Sequence, residues 1–187
     1  MLKIGTRPGN PARRHAAYTQ SELRRIGVES ELTVLGTAEL NKALLRGEID
    51  VIVCALNDLP TIQPEGLVIT ALSRRENPAD LLVTRPGAVD KTQIFKLKSG
   101  AVIGTTDARQ KAQLRDIRPD ANMLDLSGDA PALLQALRDK SCDAVLLPAA
   151  EMQPSEPDLS GLETLELNPR EFMPAPGQGV LAWLSHR

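Results

Sequence analysis

The stretch from 46 to 61, Arg46-Gly47-Glu48-Ile49-Asp50-Val51-Ile52-Val53-Cys54-Ala55-Leu56-Asn57-Asp58-Leu59-Pro60-Thr61, decides the fold class. Ile49 to Leu56 is continuously apolar apart from Asp50, and such a run suits a strand buried on both faces. Strands of that kind belong to parallel sheets covered by helices. Upstream, Val28 to Leu35 is a second β-like run, followed by Thr37 as a candidate cap, a helix carrying Leu40, Ala43 and Leu44, and Gly47 as its stop. Further upstream, Leu2 to Gly5 is a strand and Asn10-Pro11 a cap and first-turn pair. Ala12, Ala16, Leu23 and Ile26 then share a helical face that Gly27 closes.

Downstream the plan repeats. Ala101 to Gly104 is a strand, Asp107 a cap, Ala108 to Ile117 a helix, and Met123 to Leu126 a strand. Asp129-Ala130-Pro131 starts a helix from Leu133 to Lys140, and Cys142 to Leu147 is the next strand. Gly5-Thr6 matches Gly104-Thr105 at a shift of 99, and Leu40, Ala43, Leu44 and Asp50 match Leu133, Ala136, Leu137 and Asp143 at a shift of 93. These identities point to an internal duplication with a loop of different length. Ser73 to Pro78 is the polar junction, Pro154 to Gly161 a surface loop, and Val180 to Leu184 a short strand returning to the first half.

Two βαβαβ halves imply two lobes, and ligands of open α/β sheets sit beyond the carboxyl ends of the strands. The cleft between the lobes is therefore the expected site. Residues just after strands become candidates: Thr6-Arg7, Asn57-Asp58, Thr105-Thr106-Asp107, Ser127-Gly128-Asp129 and Ala149-Ala150. The lobes are expected to comprise 1–76 plus 176–187, and 77–175.

Composition narrows the chemistry. The 187 residues carry 22 Lys and Arg against 24 Asp and Glu, a net charge of −2, which excludes a polycation built to coat nucleic acid. Aromatic residues are only Tyr18, Phe95, Phe172 and Trp183, so a base-stacking platform has nothing to be built from. Cys54 and Cys142 lie in apolar stretches without ligand spacing and read as buried thiols. His15 and His186 pair with no nucleophile or second ligand, so neither a catalytic triad nor a metal site is expected. Arg13-Arg14 and Arg24-Arg25 read as the solvated face of the first helix. Ala175 to Gly179 lacks the spacing of a phosphate loop and reads as a turn between lobes. With no hydrophobic leader after Met1 and no membrane-length apolar stretch, a cytoplasmic protein without nucleic-acid or membrane partners is the expectation.

Several separated motifs together resemble the porphobilinogen deaminase (hydroxymethylbilane synthase) family: GTR at 5–7, RGEIDVIVCALNDLPT at 46–61, PEGL at 64–67, RRENPADLLV at 74–83, IGTTDARQKAQL at 103–114, RPD at 118–120 and FMPAPGQGVLA at 172–182. The resemblance is collinear over nearly the whole chain. It implies two α/β lobes of the type II periplasmic-binding-protein kind, each a mainly parallel sheet flanked by helices, with a cleft between them. It also implies head-to-tail condensation of porphobilinogen with release of ammonia, on a dipyrromethane cofactor held by a cysteine. By resemblance the catalytic carboxylate is Asp58, and Arg7, Thr105, Thr106, Arg109 and Gln178 are the substrate-binding residues.

The sequence departs from the family where the chemistry lies. Asn57 replaces a lysine, Gln110 the second of two arginines, Ser127 and Leu133 two further arginines, and Asp129 an asparagine. Each lost basic contact to a ligand carboxylate removes about 1.5–3 kcal/mol. Neither Cys54 nor Cys142 matches the cofactor cysteine, and the cysteine-bearing domain of the family has no counterpart in the sequence. The expected function is thus a hydroxymethylbilane synthase-like step of tetrapyrrole biosynthesis, impaired or dependent on a separate chain supplying the missing domain. The alternatives are a non-catalytic binding module for a small carboxylate-bearing ligand or a pyrrole, and a small-molecule-binding protein of the same fold without a link to haem synthesis.

Overall fold

The structure is a computed structural model that describes residues 1–152 and 157–187. Residues 154–156 of the expected 154–161 loop lie outside the described residues, and Asp158 to Leu162 form turns beyond it. The elements are β1 (Leu2–Thr6), α1 (Asn10–Arg25), β2 (Ser30–Val34), α2 (Thr37–Leu45), β3 (Val51–Ala55), β4 (Leu67–Leu72), β5 (Asp80–Thr84), β6 (Val102–Thr105), α3 (Ala108–Ile117), β7 (Asn122–Asp125), α4 (Ala130–Arg138), β8 (Ala144–Pro148), β9 (Glu163–Glu166) and β10 (Leu181–His186). The chain divides into two compact units, Met1–Glu76 with Pro176–Arg187, and Asn77–Ala175.

The first unit holds a sheet in the order β2-β1-β3-β10-β4. β1 pairs in parallel with β2 and β3, while β10 runs antiparallel to both β3 and β4. Four strands therefore share one direction and β10 alone is reversed. The second unit repeats the pattern as β7-β6-β8-β5-β9, with β5 the reversed strand. β5 is the first strand after the chain enters the second unit, and β10 is the first after it returns to the first.

The duplication holds in atomic detail. Asp50 precedes β3 and its Oδ2 accepts from Lys3 N at 2.7 Å; Asp143 precedes β8 and its Oδ2 accepts from Val102 N at 2.9 Å. Gly5 and Gly104 are the strand positions where a helix or loop side chain presses on the backbone. A Cβ there would stand 2.7 Å from Leu40 Cδ2 in the first unit and 2.4 Å from Leu126 Cδ1 in the second. Leu40, Ala43 and Leu44 of α2, and Leu133, Leu134 and Leu137 of α4, bury their apolar stripes against their sheets. The cores are almost wholly aliphatic, Phe172 being the one aromatic ring among the largest fully buried side chains.

Several local expectations are corrected. Gly9, at φ 110°, and not Asn10, is the N-cap of α1, so Asn10-Pro11 forms the first turn itself. Gly36, and not Thr37, precedes α2. Ile26 lies beyond the end of α1 and is exposed, whereas Thr19 takes a place on the buried face by accepting a hydrogen bond from Trp183 Nε1 at 3.1 Å. β4, β5 and β9 are strands beyond those expected from the sequence; β4 and β9 are edge strands with mostly exposed side chains.

Candidate functional site

In the first unit, Arg7 and Asp58 meet. β1 and β3 are parallel neighbours paired Ile4 to Val51 and Gly5 to Ile52, so residues following the two strands emerge at one edge. Thr6 donates through Oγ1 to Ala12 O at 3.0 Å, tying the end of β1 to the first turn of α1 and directing Arg7 outward. After β3 the chain makes a 3-10 turn over Leu56–Asp58, closed by Leu59 N to Leu56 O at 3.2 Å. Arg7 Nη2 then forms an ion pair with Asp58 Oδ2.

The turn presenting Asp58 is supported from behind. Leu56 N donates to Val180 O at 2.8 Å, and Gly177 sits against Leu56 so closely that a Cβ would stand 2.8 Å from Leu56 Cγ. Gly177 also has φ +77°, a conformation that glycine adopts without steric cost. Gln178 is buried, and its carbonyl accepts from Arg75 Nε at 3.0 Å. Through this segment the APGQG motif is bound to the site, which its lack of phosphate-loop spacing did not reveal.

Two further groups belong to this neighbourhood. His15, expected on the helix surface, is half-buried; burial lowers its pKa, the charges of Arg14 and Arg7 lower it further, and the Asp58 carboxylate opposes them. Cys54 on β3 is buried, and burial pushes its thiol up to about 11, with Arg7 and Asp58 exerting opposite smaller effects. Their place beside Asp58 is visible only once α1 is packed on β1 and β3.

In the second unit, Thr105 and Arg109 are joined in a network around a residue the sequence reading did not single out, Asp80. Asp80 has no exposed surface; its Oδ2 accepts from Arg109 Nη2 at 2.9 Å and its Oδ1 from Gln110 Nε2 at 2.8 Å. Thr105 is fully buried, and its hydroxyl donates to Gln110 Oε1 and accepts from Asp107 N at 3.1 Å. Asp107 caps α3 by accepting from Arg109 N at 2.7 Å, and it also pairs with Arg109 Nη2 at 3.1 Å. Arg109 donates in addition to Met173 O, and its guanidinium lies 5.9 Å from the Phe172 ring centre. Thr106 is exposed. The available signal for Asp80 was a carboxylate opening an apolar strand, which requires a buried partner.

Cys142 is the second buried thiol, its pKa raised by burial and by Asp143. Among the described residues no three His, Cys, Asp or Glu side chains are grouped to hold a metal ion, and no helix is long and apolar enough to cross a membrane.

A family model described as porphobilinogen deaminase, dipyromethane cofactor binding domain, matches residues 20–186. A probable porphobilinogen deaminase of Ignicoccus hospitalis is 40% identical over 156 residues, covering 83% of this chain and 49% of that protein. The porphobilinogen deaminase of Trichlorobacter lovleyi is 34% identical, covering 96% of this chain and 62% of that protein, and that of Thermus thermophilus is 40% identical, covering 77% and 46%. The chain thus spans about half to three-fifths of the length of these relatives. Among solved structures, the VFT2 domain of Bordetella pertussis BvgS is similar at TM-score 0.61 and 17% identity, covering 100% of this chain and 80% of that one. An ancestral cationic amino acid solute-binding protein is similar at TM-score 0.59 and 14% identity, covering 100% and 82%. These likenesses establish the two-lobed α/β fold of solute-binding proteins.

Proposed function

The chain belongs to the porphobilinogen deaminase family, and from that premise we propose that it handles porphobilinogen in tetrapyrrole biosynthesis, with Asp58 as its catalytic carboxylate and Arg7 as the residue that receives a ligand carboxylate. The observation carrying this reading is the Arg7–Asp58 ion pair at the carboxyl ends of adjacent parallel strands, within the motifs shared with the family. The pair is 35% and 40% exposed, so it contributes at most about 1 kcal/mol. A ligand carboxylate can therefore take Arg7 at little cost and leave Asp58 facing the pyrrole.

An ionised carboxylate there suits the reaction. The C–N bond of the protonated aminomethyl group breaks, and ammonia leaves with the electron pair. Positive charge remains spread over the ring and its methylene carbon, where Asp58 stabilises it and accepts the pyrrole N–H. The α-carbon of a second ring then forms the C–C bond and releases its proton.

The family's dipyrromethane does not fit covalent attachment to this chain's own thiols. Cys54 and Cys142 are both buried, and burial disfavours the thiolate in each. We read the attaching thiol as lying outside these residues, in further sequence or a separate chain, which makes autonomous turnover dependent on that addition. A second reading, a binding module for a pyrrole or small carboxylate without turnover, is favoured by Arg109 being engaged with Asp80 and Asp107.

Incubating the full protein, together with any separate chain that supplies the attaching thiol, with porphobilinogen, while following ammonia release and uroporphyrin formation after oxidation, separates these readings. Turnover that disappears in Asp58→Ala supports the enzyme; binding without turnover supports the module; neither binding nor turnover overturns both.

A further inference from the structure

Thr84, at the carboxyl end of β5, pairs with Ala144 of β8 and Glu163 of β9, whereas Asp80, at the other end of β5, pairs with Pro148. The sheet edge beyond Thr84 is thus opposite the Asp80–Arg109 network. A cavity of about 110 Å³ lies there, with Thr84, Lys91, Lys96, Glu163 and Thr164 as its polar lining and Val89, Phe95 and Leu165 as its apolar wall. Thr84 is 4% exposed, and among the described residues its hydroxyl has no hydrogen-bond partner. The polar side-chain atoms sealed from solvent without a partner belong, among those residues, to Gln63, Arg85 and Arg109, so the Thr84 hydroxyl opens onto the cavity. A buried hydroxyl without a partner is a cost to folding that an acceptor on a ligand would remove. Lys91, Lys96 and Glu163 take part in no ion pair among the described residues.

The two lysines are held by a braced loop. Val89 and Leu97 form an antiparallel bridge, and Asp90 N donates to Lys96 O at 2.8 Å. The buried Arg118 donates to Ile94 O at 2.7 Å, Leu97 O at 2.9 Å and Lys98 O at 3.0 Å. These contacts keep Phe95 and Lys96 at φ 61° and 53°, a conformation that side chains other than glycine rarely adopt. Asp90, the acid of the loop, is occupied by Thr92, accepting from its N at 3.0 Å and its Oγ1 at 2.6 Å.

We propose that this cavity is a binding site for a short monocarboxylate. The ligand carboxylate accepts from the Thr84 hydroxyl and from the ammonium groups of Lys91 and Lys96, and its short stem lies against Val89, Phe95 and Leu165. A cavity of about 110 Å³ has room for about four water molecules, which matches a ligand the size of acetate or propionate. The Glu163 carboxylate works against a second negative charge, so a dianion such as inorganic phosphate is disfavoured. The site shares no residue with the Arg7–Asp58 pair or with the network around Asp80, and it stands whether or not the protein handles porphobilinogen.

The test titrates the full protein with propionate, with neutral propionamide and with inorganic phosphate at constant ionic strength, following backbone amide NMR signals. Propionate should shift the amides of Thr84, Phe95, Lys96 and Thr164 saturably, with a Kd of about 1–10 mM. Propionamide and phosphate should bind roughly five-fold more weakly or worse. Lys91→Gln and Lys96→Gln should each weaken propionate roughly two- to five-fold, the loss expected for an exposed cation. Lys42→Gln, the same change of charge on α2 of the first unit, should leave it unaltered. Thr84→Val removes the hydroxyl and keeps the shape; it should weaken propionate roughly ten-fold while the ligand-free protein melts no lower than the unsubstituted one. No saturable shift at these amides, phosphate or propionamide binding as tightly as propionate, or Thr84→Val binding as tightly as the unsubstituted protein would each overturn the proposal.

Discussion

Arg109 Nη2 lies 2.9 Å from Asp80 Oδ2, and Asp80 is completely shielded from solvent. A carboxylate in that position needs a countercharge and hydrogen bonds to both oxygens, and Arg109 and Gln110 supply them. The residue that the family resemblance assigns to the ligand is therefore also a structural counterion. Loss of activity on removing Arg109 would not by itself demonstrate contact with a substrate.

Arg109→Ala should accordingly destabilise the protein by about 3 kcal/mol or more, since it leaves a buried carboxylate without its cation. Urea unfolding checks this, and a loss below about 1 kcal/mol would contradict the counterion role. Asp80→Asn combined with Arg109→Ala should recover part of the loss, because the uncompensated charge is gone.

Asp143 makes acid sensitivity predictable in the second unit. Burial works against its charge, but hydrogen bonds from Val102 N at 2.9 Å, Lys98 at 3.0 Å and Arg85 outweigh it, and its carboxyl titrates below the ordinary range. A pKa lowered by folding contributes stability above the unfolded value of about 3.9, and this is lost as pH falls through the folded value. Asp143→Asn should cost about 2 kcal/mol at neutral pH, and the difference should shrink as pH falls below the unfolded value of about 3.9 and vanish below the lower folded value. Unfolding free energies measured across that range decide the matter; a difference that persists in acid would mean packing, not charge, is responsible.

The repeat of Leu40, Ala43, Leu44 and Asp50 in Leu133, Ala136, Leu137 and Asp143 was legible because core helices and the aspartate preceding a strand keep side-chain identity. Asp58 and Arg7 were legible from motif and strand ends. Asp80 and His15 were not, since their importance comes from partners 29 residues and 43 residues distant, Arg109 and Asp58, brought close only by sheet order and helix packing. The edge strand β9 imposes little hydrophobic pattern because most of its side chains are exposed, and the apolar run of β4 does not alternate although most of it faces solvent at the sheet edge.

His15 reports on the site without any ligand. Its pKa is lowered by burial first and then by Arg14 and Arg7, while Asp58 raises it. The unfolded chain therefore takes up the proton first as pH falls past about 6.5, and folding stability declines over that interval. NMR titration of the imidazole should give a midpoint below about 6.5, lowered further in Asp58→Asn and raised in Arg7→Gln. Indifference of His15 to both substitutions would separate it from the Arg7–Asp58 pair.

Gly177 ties backbone geometry to the candidate chemistry. At φ +77° a side chain is strained, and a Cβ would stand 2.8 Å from Leu56 Cγ, with Leu56 opening the turn that presents Asp58. Gly177→Ala thus combines a left-handed backbone penalty with crowding against Leu56, and should cost about 1–3 kcal/mol. Relief requires the 56–58 turn to shift, which moves Asp58 away from Arg7. Porphobilinogen affinity should fall along with thermal stability, and the His15 titration should move as it does in Asp58→Asn. Gly161→Ala provides the control, since Gly161 also has positive φ, at +72°, but has nothing within 4 Å of its would-be Cβ. It should show the backbone penalty without a change in the His15 midpoint. Equal effects of the two substitutions on His15 would mean that Gly177 does not position Asp58.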